Sequence, residues 1–397
     1  MGRATARFAH EHGARITVMD RISQPNCPWT FIRENEKSRS HLLAKSDIIV
    51  PSPGIDIRQY YDKYKHKWIT ELDLFAQYNT TPVIAITGSL GKTSITSLLS
   101  DLLSRYGLAV ATGGNIGTPI LNLLGKPKNH YVLLELSSFQ LEYTRLFAPD
   151  IAIITNIHKN HLDRHGSMDD YIKAKCQIFA RQKKEQVTIA PPECTQIIQS
   201  HVDTKNLLDF INPDEIDLDT LPPITFRDNW LIIASILKTI GLPLAPLASH
   251  AHDLQIPPHR LELVPFRPGI LVYNDSKSTT PAATQAAITQ LKHPNITLFL
   301  GGLSKGVDRA SFIANLVGQV TQVYCFGAEA SILEGVCRAH HIPSNMFYSL
   351  EEAWHHCAQN VQPTSRILFS PAGSSFDLFN NYQERGNRFK MLVTKSR

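Results

Sequence analysis

The chain is poor in several features that would mark whole classes of protein. No run of about 18 apolar residues occurs along its 397 residues, so no membrane-spanning helix is expected. The stretch after Met1, GRATARFAHEHGARITVMD, lacks the apolar centre of a secretory leader. Six cysteines (Cys27, Cys176, Cys194, Cys325, Cys337 and Cys357) form no C-x-x-C pair. That spacing speaks for reduced cytoplasmic thiols and against a disulfide frame or a zinc knuckle. Lys and Arg outnumber Asp and Glu by 40 to 35, yet they are scattered and make no basic stripe. A net charge of +5 in that form suits a protein that handles anionic small molecules, with no nucleic-acid or membrane partner expected. Repeats and low-complexity tracts are absent as well.

What is present is an ordinary globular composition, 43% hydrophobic and 19% charged, on a chain long enough for two or three domains. Three segments emerge, with boundaries near 79 and 257. In residues 1–79, TARFAHEHGA reads as a helix, RITVMD as a strand, and SDIIVPSPGI as a strand ending in a turn, with a helix over about 68–78 leading out. Residues 80–257 open on the strand PVIAIT and continue with YVLLEL and DIAIITNI. Continuous apolar strands alternating with helices predict a parallel sheet covered on both faces. Residues 186–221 are poorly patterned, and NWLIIASILKTIGLP reads as a helix. Residues 258–397 carry ILVYND, ITLFLGG, QVYCFG and RILFSPAG between helical stretches, again a doubly wound pattern.

The chemistry begins at TGSLGKTS. Its backbone N–H groups from Gly88 to Thr93, with the start of the following helix, can cradle phosphate oxygens. Lys92 would reach the β- and γ-phosphates and Thr93 would bind Mg²⁺. The loop is shorter than the common G-x-x-x-x-G-K-[ST], which would place a glycine at Ile86; the alternative is a plain glycine turn. Glu135 ends the strand YVLLE, either as a Mg²⁺ ligand or as a solvent-facing carboxylate. A polar loop after Asn156 carries His158, His161, Asp163, Arg164 and His165. Three histidines on so short a loop do not readily converge on zinc, whereas one imidazole beside a Mg²⁺ site is compatible with the pattern.

Taken together, TGSLGKT, GGNIG, ELSSFQLE and NIHKNHLDRHGSMDDYIKAK resemble the Mur ligases. PHRLE, NDSKSTTPAAT, LGGLSKGVD and SPAGSSFDLFNNYQERG extend the resemblance over nearly the whole chain, in order. ELSSFQLE and the SSFD…ERG segment point to the D-glutamate-adding branch. The resemblance implies an α/β fold of three domains. These are an N-terminal Rossmann-like domain, 1–79, apparently truncated; a central P-loop ATPase-like parallel sheet, 80–257; and a C-terminal Rossmann-like domain, 258–397. It implies a monomeric cytoplasmic enzyme that joins D-glutamate to UDP-N-acetylmuramoyl-L-alanine at the expense of ATP, through an acyl phosphate, with two Mg²⁺ ions and a CO₂-derived lysine carbamate.

Residue by residue, the resemblance assigns Gly88, Ser89, Leu90, Gly91, Lys92, Thr93, Ser94, Arg260, Asp275 and Lys277 to ATP. Thr93, Glu135, His161 and carbamylated Lys175 would hold metal, with Lys92, Lys175 and His161 catalytic. Asp20, Arg21, Ser52, Pro53, Gly54, Asn115 and Asn156 would hold the UDP-substrate, and Thr279, Lys305, Ser375 and Tyr382 the D-glutamate. Nothing but the resemblance selects Lys175 over Lys173. Two departures stand out. The family's H-N pair is missing before the helix, where TFRDNWLIIAS keeps only Asn229, which puts ribose or adenine contacts in doubt. The first strand and most of a glycine-rich turn are also missing ahead of RATARFA. The expectation is a true start upstream of Met1, which reading the coding DNA before it would test.

Overall fold

The computed structural model describes residues 2–22, 26–125, 129–201, 210–222, 224–255, 257–304 and 306–396. These form two compact units, Met1–Ile157 with Asp169–Leu221 and Asp228–His252, and His158–Met168 with Pro222–Arg227 and Asp253–Arg397. No helix among the described residues is long and apolar enough to cross a membrane.

The first unit contains two sheets. The smaller pairs β1 (Thr17–Asp20) with β2 (Thr30–Arg33) in parallel. The larger has five strands, β3 (Val83–Thr87), β4 (Val110–Gly114), β5 (Tyr131–Glu135), β6 (Ile151–Ile154) and β7 (Val187–Ile189), ordered β4-β5-β3-β6-β7 and all parallel. Each residue of β3 and of β6 is buried, as strands covered on both faces must be. Helix Lys92–Arg105 covers one face of this sheet. Its Ile95, Leu98, Leu99, Leu102 and Leu103 recur at helical spacing and are all buried, each worth roughly 1.5–3 kcal/mol.

The second unit is built on six strands: β8 (Glu262–Val264), β9 (Leu271–Asn274), β10 (Ile296–Gly301), β11 (Gln322–Phe326), β12 (Ser344–Phe347) and β13 (Arg366–Phe369). Their order is β12-β11-β10-β13-β9-β8, parallel except for β8, which runs antiparallel to β9 at the edge. Phe369 stacks on Phe389 of the final helix at 4.1 Å, with Trp354 against the same ring, so that helix is pinned to the sheet.

The elements differ from the sequence reading in places. SDIIVPSPGI makes no strand; only an isolated bridge joins Ile49 to Trp68, because Pro51 and Pro53 remove the donors a ladder needs. The helix leading to β3 begins at Glu71, where Thr70 caps it by accepting from the Asp73 N–H at 3.0 Å. Residues 186–221 contain β7 and helix Pro192–Gln199.

Candidate functional site

The five-stranded sheet turns both ways from its central strand: β3 leads outward to β4, and β5 leads back across to β6. Ligands of open parallel sheets lie at the carboxyl ends of strands at such a point. Register aligns those ends, with Ile86 opposite Glu135, Gly114 opposite Glu135, and Thr87 opposite Ile154. Glu135 ends β5 itself, and the segments that leave the strands carry Gly88–Ser94, Asn115 and Asn156.

The loop after β3 has the backbone that the glycine spacing demands. Gly88 sits at φ +145° and Gly91 at φ +82°. A Cβ on Gly88 would overlap the Thr155 side chain, and one on Gly91 the Asn229 amide. Both positions therefore need glycine for space as well as for conformation. Thr93 and Ser94 are buried in the first turn of the helix, and Ser89 Oγ meets the Tyr171 hydroxyl at 2.9 Å.

Two lysines converge on one carbonyl. Lys92 Nζ donates to Gly88 O at 2.6 Å and to Ser89 O at 3.2 Å, and Lys175 Nζ donates to Gly88 O at 2.7 Å. Lys175 is buried, with its ammonium 4.6 Å from the Tyr171 ring centroid. Burial, and then the like charge of Lys92, hold its pKa well below the ordinary lysine value. Lys173, two residues away, is exposed and paired with Asp169 at 2.5 Å. Geometry thus separates the two lysines that the sequence pattern left equivalent.

Glu135 is buried. One carboxylate oxygen accepts from Asn115 Nδ2 at 2.8 Å, and the other is buried with no hydrogen-bond partner. An unpartnered buried carboxylate oxygen is a hard, anionic donor of the kind that fits Mg²⁺. Among the described residues no three His, Cys, Asp or Glu side chains gather as a metal set. His161 belongs to the second unit, at φ +54° immediately before the short helix Leu162–His165.

The residues expected at the uridine diphosphate divide. Ser52 and Pro53 line an open cleft with Glu71, Phe139, Gln140 and Tyr143. Glu71 is buried there, and burial pushes its pKa up. Gly54 follows in the same turn, closed by Ile55 N–H to Ser52 O at 2.9 Å. Asp20 and Arg21 are not among the cleft's lining residues: Asp20 accepts from the Ile22 N–H, and Arg21, 81% exposed, pairs with Glu34.

In the second unit the expected residues again follow strand ends. After β9, Asp275 is buried and accepts from Ser370 Oγ at 2.8 Å and from the Leu261 N–H at 3.3 Å; burial raises its pKa to about 6 against those bonds. Arg260 precedes Leu261, and its charge acts to lower that value. Lys277 Nζ lies 4.0 Å from the Tyr382 ring centroid, joining an expected ATP residue to an expected D-glutamate residue. Thr279 is half-buried, and Ser375 is buried, its carbonyl accepting from the Phe379 N–H. Lys305 lies outside the described residues.

Several residues that hold this chemistry in place carried little sequence signal. Arg385, wholly buried in the final helix, donates to Ser276 Oγ, Ser276 O and Gly373 O at 2.8–3.1 Å. Arg309 donates to the carbonyls of Gly301 and Gly302 and pairs with Glu329. Tyr171 stands four residues before Lys175, so helical spacing alone would have put both on one face.

The model of the Mur ligase middle domain matches residues 86–210, and that of the Mur ligase, glutamate ligase domain matches residues 259–373. A UDP-N-acetylmuramoylalanine--D-glutamate ligase from Lawsonia intracellularis is 35% identical, covering 99% of this chain and 91% of the relative. One of the same description from Nitratidesulfovibrio vulgaris is 32% identical, covering 99% and 93%. The MurF ligase of Thermotoga maritima, solved with ADP, superposes with a TM-score of 0.59 at 17% identity, over 89% of this chain and 96% of that one.

Proposed function

This chain belongs to the Mur ligase family, and on that premise we propose that it is an ATP-dependent amide ligase adding D-glutamate to UDP-N-acetylmuramoyl-L-alanine in peptidoglycan precursor synthesis. ATP phosphorylates the substrate's terminal carboxylate, which gives a poor electrophile a leaving group. The amine of D-glutamate attacks that acyl phosphate, and collapse of the tetrahedral intermediate leaves an amide, ADP and phosphate. Catalysis of this kind rests on positioning and on neutralising charge.

The observation that carries the reading is the convergence of Lys92 and Lys175 on Gly88 O, on the same sheet edge as Glu135's unpartnered oxygen. Lys92 holds the phosphoryl oxygens, and the loop N–H groups cradle the chain of phosphates. Of two Mg²⁺ ions, the first would be held with Thr93 and the second with Glu135, beside the Lys175 carbamate, and both would neutralise charge on the transferred phosphoryl group. His161 is carried over as a ligand from the resemblance alone. Carbamate formation needs a neutral amine to attack CO₂ and release a proton, and the depressed pKa of Lys175 supplies that amine. Asp20, Arg21, Ser52–Gly54 and Asn115 are assigned to the UDP-substrate, Arg260, Asp275 and Lys277 to ATP, and Thr279, Lys305, Ser375 and Tyr382 to D-glutamate. Segments 1–79, 80–257 and 258–397 divide these tasks in a monomeric, cytoplasmic enzyme.

The test is phosphate release from ATP with UDP-N-acetylmuramoyl-L-alanine, with and without D-glutamate. Release that needs all three supports the reading. Release only with another amino acid moves the chain to a sibling activity, and none at all makes it a non-catalytic homologue.

A further inference from the structure

The two residues after β6 hold the phosphate loop from the side. The Leu90 N–H donates to Asn156 Oδ1 at 2.8 Å. The Leu90 carbonyl accepts from Thr155 Oγ1 at 2.5 Å and from Asn156 Nδ2 at 3.2 Å, and the Ser89 N–H donates to Asn156 O at 3.0 Å. Thr155 also fills the space that a side chain on Gly88 would need. From the other side the Asn229 amide fills the space beside Gly91. Three successive peptide groups of the loop are thus tied to one two-residue segment.

This matters for an anion site. A phosphate loop works when its N–H groups face the anion and its carbonyls do not. A Leu90 carbonyl turned toward the anion would spoil that arrangement, and two side-chain donors hold it. The Ser89 and Leu90 N–H groups are both engaged by Asn156, so neither is the donor this loop offers to phosphate. Preset donors need no reorganisation when charge arrives.

We infer that Thr155 and Asn156 are positioning residues of the phosphate loop, so that Asn156 acts on ATP through Leu90 and not on the UDP-substrate. The inference rests on the reading of that loop as the ATP site. It also gives Asn229, the survivor of the family's altered motif, a place against the loop glycine.

The test compares Thr155→Val, which keeps the shape and loses the hydroxyl, with Thr155→Ser, which keeps the hydroxyl. Asn156→Ala and the isosteric Asn156→Asp accompany them, the latter placing a carboxylate against the Leu90 carbonyl. Affinity for Mg·ADP is measured by calorimetry on the full chain, beside KM for ATP and for UDP-N-acetylmuramoyl-L-alanine. Thr155→Val, Asn156→Ala and Asn156→Asp are expected to weaken Mg·ADP binding and raise KM for ATP by about tenfold each. Thr155→Ser recovers most of that loss, and KM for the UDP-substrate moves less than about twofold. The inference is overturned if Asn156→Ala raises KM for the UDP-substrate alone, if Val and Ser at 155 behave alike, or if both KM values shift equally. Wild-type protein that binds Mg·ADP but shows no ligase turnover sinks the proposed reaction and leaves this inference standing. Wild-type protein that binds no ADP overturns both.

Discussion

The five-stranded and the six-stranded sheets place their chemistry in the same way and balance their charges in opposite ways. Each sends the expected residues out from the carboxyl ends of parallel strands. At the six-stranded sheet three ionic groups are tied down internally. Arg385 is spent on two carbonyls and a hydroxyl, Arg309 on two carbonyls and Glu329, and Asp275 on Ser370 and the Leu261 N–H. At the five-stranded sheet two lysines crowd one carbonyl while a buried carboxylate oxygen has no partner. The first arrangement braces the scaffold; the second leaves a buried carboxylate oxygen without a hydrogen bond. The contrast is what the proposed phosphate and metal chemistry on the first unit would require.

The contrast can be broken from either side. Lys92→Ala removes the cation aimed at the phosphates, and turnover is expected to fall about 1,000-fold or more with little change in the urea midpoint. Arg385→Ala should do the reverse. Leaving Ser276 O and Gly373 O unsatisfied in a buried site is expected to destabilise the protein by about 4 kcal/mol, read as a lower urea midpoint.

Asp275 offers a pH handle on the braced side. Its folded-state pKa, about 6, lies above its unfolded value, so the folded chain binds that proton more tightly. Its contribution is neutral below about pH 4, becomes destabilising as pH rises through 4–6, and reaches about 3 kcal/mol above that window. The stability of Asp275→Asn relative to wild type should therefore improve with rising pH across that window. A difference that stays flat from pH 4 to 7 would show that Ser370 and the Leu261 N–H hold the carboxylate ionised.

The smallest expected effect sharpens the lysine assignment. Lys175→Ala should lower turnover about 30-fold, with partial recovery on adding a short carboxylic acid. Lys173→Ala, which removes only an exposed i,i+4 pair, should leave turnover unchanged. Equal losses at the two positions would contradict the role given to burial.

Much of this was legible in the sequence because strand and loop signals are local. Continuous apolar runs such as PVIAIT and YVLLEL marked the covered strands, and G-x-x-G-K-T marked the loop with the correct glycines. SDIIVPSPGI misled, because its apolar run resembles a strand while its prolines deny it a ladder. What stayed hidden depends on contacts distant in sequence. Thr155 and Asn156 meet Leu90 across about 65 positions, and Arg385 meets Ser276 across more than 100. No periodicity reports such pairs, and the difference between Lys173 and Lys175 appears only in the folded helix's burial.

The most direct test of the account is the identity of the product. After incubation with Mg·ATP, UDP-N-acetylmuramoyl-L-alanine and D-glutamate, mass spectrometry should find the substrate enlarged by one glutamyl residue, with one ADP formed per product. No such product with D-glutamate, or equal product with L-glutamate, would contradict it.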